Sequence, residues 1–321
     1  ILGLKAIDSF LKLKIKKKVF FLDNLDEKLH LSLSKLNQNN TCIITISKSG
    51  NTLETILNFN YIKKLINNNN LIIICEKKNN LIYNLAKKHK VQVVEHNQKI
   101  GGRFSIFSEV GMLPSAIIGL EINNFKNNRF FYDNKYKNIL IKSVAFLTTL
   151  YNFGYKNHIS LNYHSDLIDL CYWHQQLLGE SLGKNRKGFM PIVSLAPRDH
   201  HSLMQLYLDG PGNEVFTILS NKKKSKIKSS NFFLPKEFSK LKKKNYNFII
   251  EAQCLAAKRV FTKKNIPFRS IVINKQTEKE IGELFIFFIM ETILISKFMK
   301  VNPFDQPAVE QIKKETKKII L

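Results

Sequence analysis

Short apolar runs rich in β-branched residues alternate along this chain with segments whose apolar positions recur at helical spacing. Val19–Leu22, Cys42–Ser47, Leu71–Cys75 and Val91–Glu95 are of the first kind, and Leu2–Leu13, Leu53–Leu65 and Leu81–His89 of the second. Such alternation predicts a parallel sheet covered by helices. After Gly101-Gly102-Arg103-Phe104-Ser105 an apolar helical stretch runs to about Leu120. The polar, Asn- and Lys-rich stretch 123–138 then separates a second unit in which the pattern repeats. Its candidate strands are His158–Tyr163, Met190–Leu195, Glu214–Leu219 and Arg269–Ile273. Its candidate helices are Leu167–Glu180, Ser202–Asp209, Phe248–Lys264, Glu278–Met299 and Gln306–Ile320. The reading is an α/β chain of two domains, 1–125 and 126–321, whose similarity suggests duplication.

At 321 residues with 44% hydrophobic content, the chain is long enough for two domains with a core each. No apolar run reaches the ~18–20 residues of a membrane span. Ile281–Met299 comes closest, but Glu283, Glu291 and Lys297 interrupt it, which predicts a long buried helix. The net charge of +26 raises the question of nucleic acid. Lysine far outnumbers arginine, and Asn and Ile are also abundant, a joint compositional bias. The lysines fall in loop clusters at Lys16-Lys17-Lys18, Lys222-Lys223-Lys224 and Lys242-Lys243-Lys244. No basic helix face carries interleaved aromatics, so specific nucleic-acid binding is not expected, whereas attraction of anionic substrates is. Cys42, Cys75, Cys171 and Cys254 are widely separated without metal-type spacing. Cys42 and Cys75 lie in apolar strand-like runs and read as small buried hydrophobes, and the set as reduced cytoplasmic thiols.

The strand Cys42–Ser47 runs straight into Ser47-Lys48-Ser49-Gly50-Asn51-Thr52-Leu53-Glu54-Thr55, which opens a helix. A helix N-terminus offers unpaired N–H groups and a favourable dipole to an anion. Ser47, Ser49, Thr52 and Thr55 add hydroxyls and Lys48 adds charge, making a phosphate cradle without the spacing of a nucleotide P-loop. A phosphorylated metabolite fits it better than a nucleoside triphosphate; an ordinary polar N-cap is the plainer alternative. Gly101-Gly102-Arg103 offers backbone that a ligand can approach and a guanidinium able to stabilise an oxyanion, or else a tight turn with a surface arginine. Gln176 and Glu180, four apart, share a helix face with Trp173, while Leu167, Leu170, Cys171, His174 and Leu178 occupy the other side. Glu180 is then a general base or a solvated helix end. His200-His201, before the predicted helix at Ser202, reads as neutral imidazole suited to proton exchange, or as a structural pair. Lys313 points into the apolar stripe Val309, Ile312, Thr316 and Ile320, which calls for an anionic or hydroxyl partner unless the side chain snorkels. No further His or Cys stands at metal-ligand spacing.

Taken in order along the chain, these stretches resemble the phosphoglucose isomerase family. Ser47-Lys48-Ser49-x-x-Thr52-x-x-Thr55 resembles the family's sugar-phosphate loop in its first sugar-isomerase (SIS) domain. Gly101-Gly102-Arg103-Phe104-Ser105 matches its arginine signature, and Gln176-x-x-x-Glu180-Ser181-x-Gly183-Lys184 its catalytic-glutamate segment. His201-x-x-x-Gln205-Leu206 resembles its histidine segment, and Asn302-x-Phe304-Asp305-Gln306-x-x-Val309-Glu310-x-x-Lys313 its lysine signature. The chain departs from the usual pattern at Leu182, His200, Pro307-Ala308 and Ile312, none of which removes a reacting group. Ile1-x-Gly3-x-Lys5-Ala6 resembles the end of the family's glycine-rich loop, so the chain, which opens without Met or a targeting pattern, reads as N-terminally incomplete.

The resemblance implies an α/β fold of two SIS-type doubly wound, mainly parallel sheets with helices on both faces. It implies a cytoplasmic aldose–ketose isomerase interconverting glucose 6-phosphate and fructose 6-phosphate in glycolysis and gluconeogenesis, with no metal or redox cofactor. The loop of Ser47, Lys48, Ser49, Thr52 and Thr55 would hold the phosphate, and Gln176 would orient the substrate. His201, helped by Lys313, would open the ring. Glu180 would carry the proton between C2 and C1 through a cis-enediol, whose charge Arg103 would stabilise. The family also implies a homodimer in which the neighbouring subunit supplies the histidine. Competing readings are a bifunctional glucose/mannose-phosphate isomerase and a non-catalytic SIS-fold sugar-phosphate sensor.

Overall fold

The computed structural model describes residues 1–126, 132–222, 235–241 and 244–320. Part of the polar separator (127–131) and Lys223, Lys224, Lys242 and Lys243 of the lysine clusters lie outside the described residues. The chain forms two compact units, Ile1–Asp8 with Lys12–Asn123, and Ser9–Leu11 with Asn124–Leu321.

In the first unit β1 (Ile43–Ile46), β2 (Leu71–Cys75) and β3 (Gln92–Glu95) form a parallel sheet in the order β1-β2-β3, with Ile43 opposite Leu71 and Ile72 opposite Gln92. The unit also holds most of α1 (Leu2–Phe10), with α2 (Glu27–Leu33), α3 (Leu53–Tyr61), α4 (Leu81–Lys88) and α5 (Glu109–Ile117). Leu71, Ile73 and Cys75 alternate onto one face of β2 and are buried against Ile82 and Ala86 of α4, as period-two alternation requires. Two expectations need correction here. Val19–Leu22 is extended chain that joins no sheet among the described residues; its apolar side chains instead line a cavity of about 610 Å³ with Ile43, Ile44 and Ile46. Cys42 stands one residue before β1 and is exposed, whereas Cys75, Cys171 and Cys254 are buried. Burial pushes the Cys171 thiol up to about 12, which keeps it protonated and inert.

The second unit runs α6 (Asn134–Asn152), β4 (Asn157–Asn162), α7 (Ile168–Leu182), β5 (Met190–Leu195), α8 (Met204–Asp209), β6 (Glu214–Asn221), α9 (Tyr246–Lys263), β7 (Phe268–Ile273), α10 (Glu278–Met299) and α11 (Val309–Ile320). All strand pairs are parallel, in the order β5-β4-β6-β7. Phe216 and Ile218 of β6 join one apolar cluster and Val215 the other, so both sides of the sheet are covered. The chain leaves β4 for β5 on one side and returns to β6 on the other. Such a switch point places a ligand crevice at the carboxyl ends of β4 and β6. The Asn- and Lys-rich first turn of α6 falls inside the polar stretch 123–138, yet it is helical: Asp133 caps it by accepting from the Lys135 N–H at 2.8 Å, and Leu140 and Leu147 are buried. Among the described residues no helix is long and apolar enough to cross a membrane.

Helix α10 is the buried helix expected from the interrupted apolar run, and the interruption has a partner. Glu291 is fully buried and paired with Arg269 of β7, whose second terminal nitrogen donates to Glu291 Oε2 at 2.9 Å. Ser143 of α6 donates to Glu291 Oε1 at 2.7 Å, and Arg269 Nε donates to Thr217 Oγ1 at 2.8 Å. Thr217 also meets His158 Nε2 at 2.9 Å. Burial, helped by the Arg269 charge, pushes His158 down to about 3, so it is neutral in the folded protein. On unfolding it regains its ordinary value of 6.5, so the unfolded chain takes up this proton first as pH falls. The stabilisation is complete above pH ~6.5 and drains away toward pH ~3, at about 1.4 kcal/mol per unit. Urea midpoints should therefore fall between pH 7 and pH 4.5, and less steeply in His158→Gln; equal slopes would contradict the assignment.

Candidate active site

The phosphate cradle is built where β1 ends. Ser47 is buried, and its N–H continues the ladder to the Ile74 carbonyl at 3.0 Å. The Ser47 and Thr52 hydroxyls meet at 3.0 Å, and the Gly50 N–H donates to the Ser47 carbonyl at 3.1 Å. Gly50 has φ +66, and a Cβ there would collide with the Asn80 side chain, so the turn requires glycine on both counts. Asn80 caps α4 through the Tyr83 N–H at 2.8 Å and donates to the Glu76 carbonyl at 3.0 Å. Thr52 is the N-cap of α3 but makes no side-chain capping bond among the described residues. The first N–H groups of that helix therefore remain available to an anion. Ser49 and Thr52 are exposed and Thr55 half-buried. Lys48 donates to the Gln98 carbonyl at 2.8 Å and stands 4.0 Å from Glu76, which is buried at the end of β2 and also paired with Lys78.

Arg103 lies in the turn of 3₁₀ helix Gly102–Phe107 and is only 3% exposed, its guanidinium over the Phe104 ring at 5.2 Å. It is not the surface arginine that a plain turn would present. Gly101 has φ −72, so the glycine is not needed for a left-handed turn. At Gly102 a Cβ would meet nothing within 4 Å, which is the open approach to backbone that a ligand needs.

In the second unit Gln176 Nε2 donates to Glu180 Oε1 at 2.9 Å, and both residues are half-buried on α7. Trp173 does not share their surface: it is buried, edge-on to Phe285 of α10 at 4.7 Å. Helix α7 is covered from two sides, by the sheet and by α10, so its polar strip is narrower than its sequence periodicity suggests. After β5 the chain is knotted by Asp199, which accepts from Ser194 Oγ at 2.9 Å, the Leu195 N–H at 2.7 Å and Arg198 Nε at 2.8 Å. Burial alone would raise its carboxyl, but the hydrogen bonds from Arg198, Leu195 and Ser194 hold it below the usual range. His200 Nε2 and the Tyr163 hydroxyl meet at 2.6 Å, and burial lowers the His200 pKa, which favours the neutral ring. His201 is exposed, just beyond the carboxyl end of β5. Helix α8 begins at Met204 rather than Ser202, so neither histidine stands at its N-terminus.

Lys313 is the largest departure. None of the residues of α11 is buried, and Lys313 pairs with Glu310 at 2.6 Å, one turn back. The stripe of Val309, Ile312 and Ile320 exists but lies in solvent, so Lys313 points into no core. Sequence reasoning passed over Glu76, His96, Glu109, Tyr163 and Asp199. One signal could have found the first two: Ser47, Glu76 and His96 each directly follow the last residue of a parallel strand. Among the described residues no group of three or more His, Cys, Asp or Glu could hold a metal ion.

The family model described as phosphoglucose isomerase matches residues 2–195. The glucose-6-phosphate isomerase of Methanocaldococcus jannaschii is 30% identical over 305 residues, covering 92% of this chain and 76% of that protein. Among solved structures, a hypothetical protein from Thermus thermophilus has a TM-score of 0.88 at 23% identity, over 99% of this chain and 81% of its own. A glucose-6-phosphate isomerase from Chlamydia trachomatis has a TM-score of 0.78 at 20% identity, over 99% and 67%. The structural likenesses carry the fold and the sequence matches the ancestry: the chain belongs to the phosphoglucose isomerase family.

Proposed function

We propose that this chain is an aldose–ketose isomerase that interconverts D-glucose 6-phosphate and D-fructose 6-phosphate, a step of glycolysis and gluconeogenesis. The observation that carries the reading is the Gln176–Glu180 pair, a half-buried carboxylate that accepts from the Gln176 amide in a chain of this family. Such a carboxylate can take a proton from a carbon beside a carbonyl and return it to the neighbouring carbon. The Ser47 loop, the open N-terminus of α3 and Lys48 bind the phosphate, and that remote binding energy holds the reacting carbons in register. The bond between Lys48 and the Gln98 carbonyl marks where its ammonium rests until an anion competes for it. Arg103 stabilises the enediolate. His201 and Lys313 exchange protons during ring opening; because both are exposed, the reading includes a homodimer in which His201 serves the neighbouring subunit. The work needs no cofactor and suits a cytoplasmic enzyme.

The test is turnover of glucose 6-phosphate by this chain, followed as fructose 6-phosphate formed. Lys48→Ala should raise KM by roughly 10–100-fold, the worth of one charge-assisted hydrogen bond, with little change in kcat. Binding without turnover would identify a sensor instead, and equal turnover of mannose 6-phosphate a bifunctional enzyme.

A further inference from the structure

His96 directly follows β3 and is 1% exposed. Its N–H donates to the Cys75 carbonyl at 2.9 Å, extending the sheet by one residue. Its ring spans two oxygens: Nδ1 meets Glu109 Oε1, in the first turn of α5, and Nε2 stands 3.2 Å from the Ile100 carbonyl. A carboxylate and a peptide carbonyl both accept, and a neutral imidazole has one N–H to give. Against an ionised Glu109, both bonds form together only when both ring nitrogens carry protons, and that carboxylate supplies the counter-charge a buried imidazolium requires. Of the carboxylates on the neighbouring strand ends, Glu76 is engaged with Lys78 and Lys48, and Glu95 with Lys77; Lys99, in the turn itself, is the nearby cation on this segment.

The two oxygens lie toward opposite ends of one segment. Residues 97–100 form a turn closed by the Ile100 N–H on the Asn97 carbonyl at 3.0 Å, and the Gln98 carbonyl within it receives Lys48. From Gly101 the chain enters the Arg103 turn, where Ser105 Oγ donates to the Gly102 carbonyl and Ser108 Oγ to the Ser105 carbonyl, each at 2.7 Å. Ser108 then caps α5, next to Glu109. We propose that His96, held as an imidazolium by Glu109, is a positioning residue that clamps segment 97–108 and thereby sets both Lys48 and Arg103. The role rests on the isomerase reading for its kinetic consequence, while the protonation state stands independently of it.

The experiment uses the 321-residue chain labelled with ¹⁵N-histidine at neutral pH. One ring should show two protonated nitrogens, and that signature should vanish in His96→Gln, which serves to assign it. Glu109→Gln keeps an acceptor in place but removes the charge. It should cost the ring one N–H and raise KM for glucose 6-phosphate by roughly three- to tenfold, with kcat changing much less. The dissociation constant for inorganic phosphate, titrated against the same chains, should rise in step. A singly protonated His96 in the unaltered chain would overturn the proposal, as would Glu109→Gln with unchanged phosphate affinity. A chain inactive on glucose 6-phosphate but showing both the doubly protonated ring and the weakened phosphate binding would overturn the isomerase reading and leave the clamp standing.

Discussion

Glu180→Gln should cut isomerase turnover by about 10²–10⁴-fold, the range a positioned general base contributes, while leaving the fold and KM nearly unchanged. The substitution is close to isosteric, and a glutamine carbonyl at 180 can still accept from Gln176 Nε2, so the pair on α7 survives. What disappears is the ability to take a proton from carbon. Steady-state rates of the two chains measure the loss. A second readout is deuterium: a carboxyl that carries the proton from C2 to C1 exchanges with solvent, so product formed in D₂O by the unaltered chain should gain deuterium and the variant's residual product should not. Near-normal turnover in Glu180→Gln would remove this residue from the chemistry and return it to the role of a helix end.

The largest loss of stability should come from Arg269→Leu, at about 3–5 kcal/mol in urea unfolding, because the change strands the fully buried Glu291 carboxylate. Ser143 remains as a donor to Glu291, but a neutral hydroxyl does not replace a guanidinium that reaches both carboxylate oxygens. Removing both partners in Arg269→Leu/Glu291→Leu should recover most of the loss, since apolar replacement of a whole buried pair is often neutral or better. The two single changes should therefore be strongly non-additive in a double-mutant cycle. A loss below about 1 kcal/mol for Arg269→Leu, or simple additivity, would show that water or another group already screens the carboxylate. The same arginine depresses His158, so the single variant should also lose part of its acid sensitivity.

Much of the architecture is legible from spacing because the forces that decide an element act over a few residues. Leu71–Cys75, Met190–Leu195 and Glu278–Met299 have the bounds that their apolar runs imply. Capping chemistry is equally local: Asn80, Asp133 and Thr277 each accept from an N–H two or three residues on. Composition misled where it was averaged over an element boundary, hiding the start of α6 in an Asn/Lys-rich stretch. An apolar run also misled where it was too short to distinguish a strand from a lining segment, as at Val19–Leu22.

The candidate site divides the same way. The candidate phosphate loop Ser47 to Thr55 and the candidate pair Gln176 with Glu180 each lie within one loop or one helix turn, so their arrangement follows from the backbone that their own residues dictate. Trp173 and Lys313 could not be placed so. The periodicity of a helix gives its faces but not what covers each, and α7 is covered twice while α11 is not covered among the described residues.

Sequence by itself determined most of the helices and strands, the hydroxyl-lined loop at the mouth of β1 and membership of a family, because periodicity, turn chemistry and ordered motifs are properties of neighbouring residues. Tertiary structure decided which buried polar and charged groups meet. Ser143 and Glu291 meet across 148 residues, Arg269 and Glu291 across 22, and His96 and Glu109 across 13. No local rule selects these partners: each charge needs a counterpart only because the sheet and the helices above it have removed water from around it.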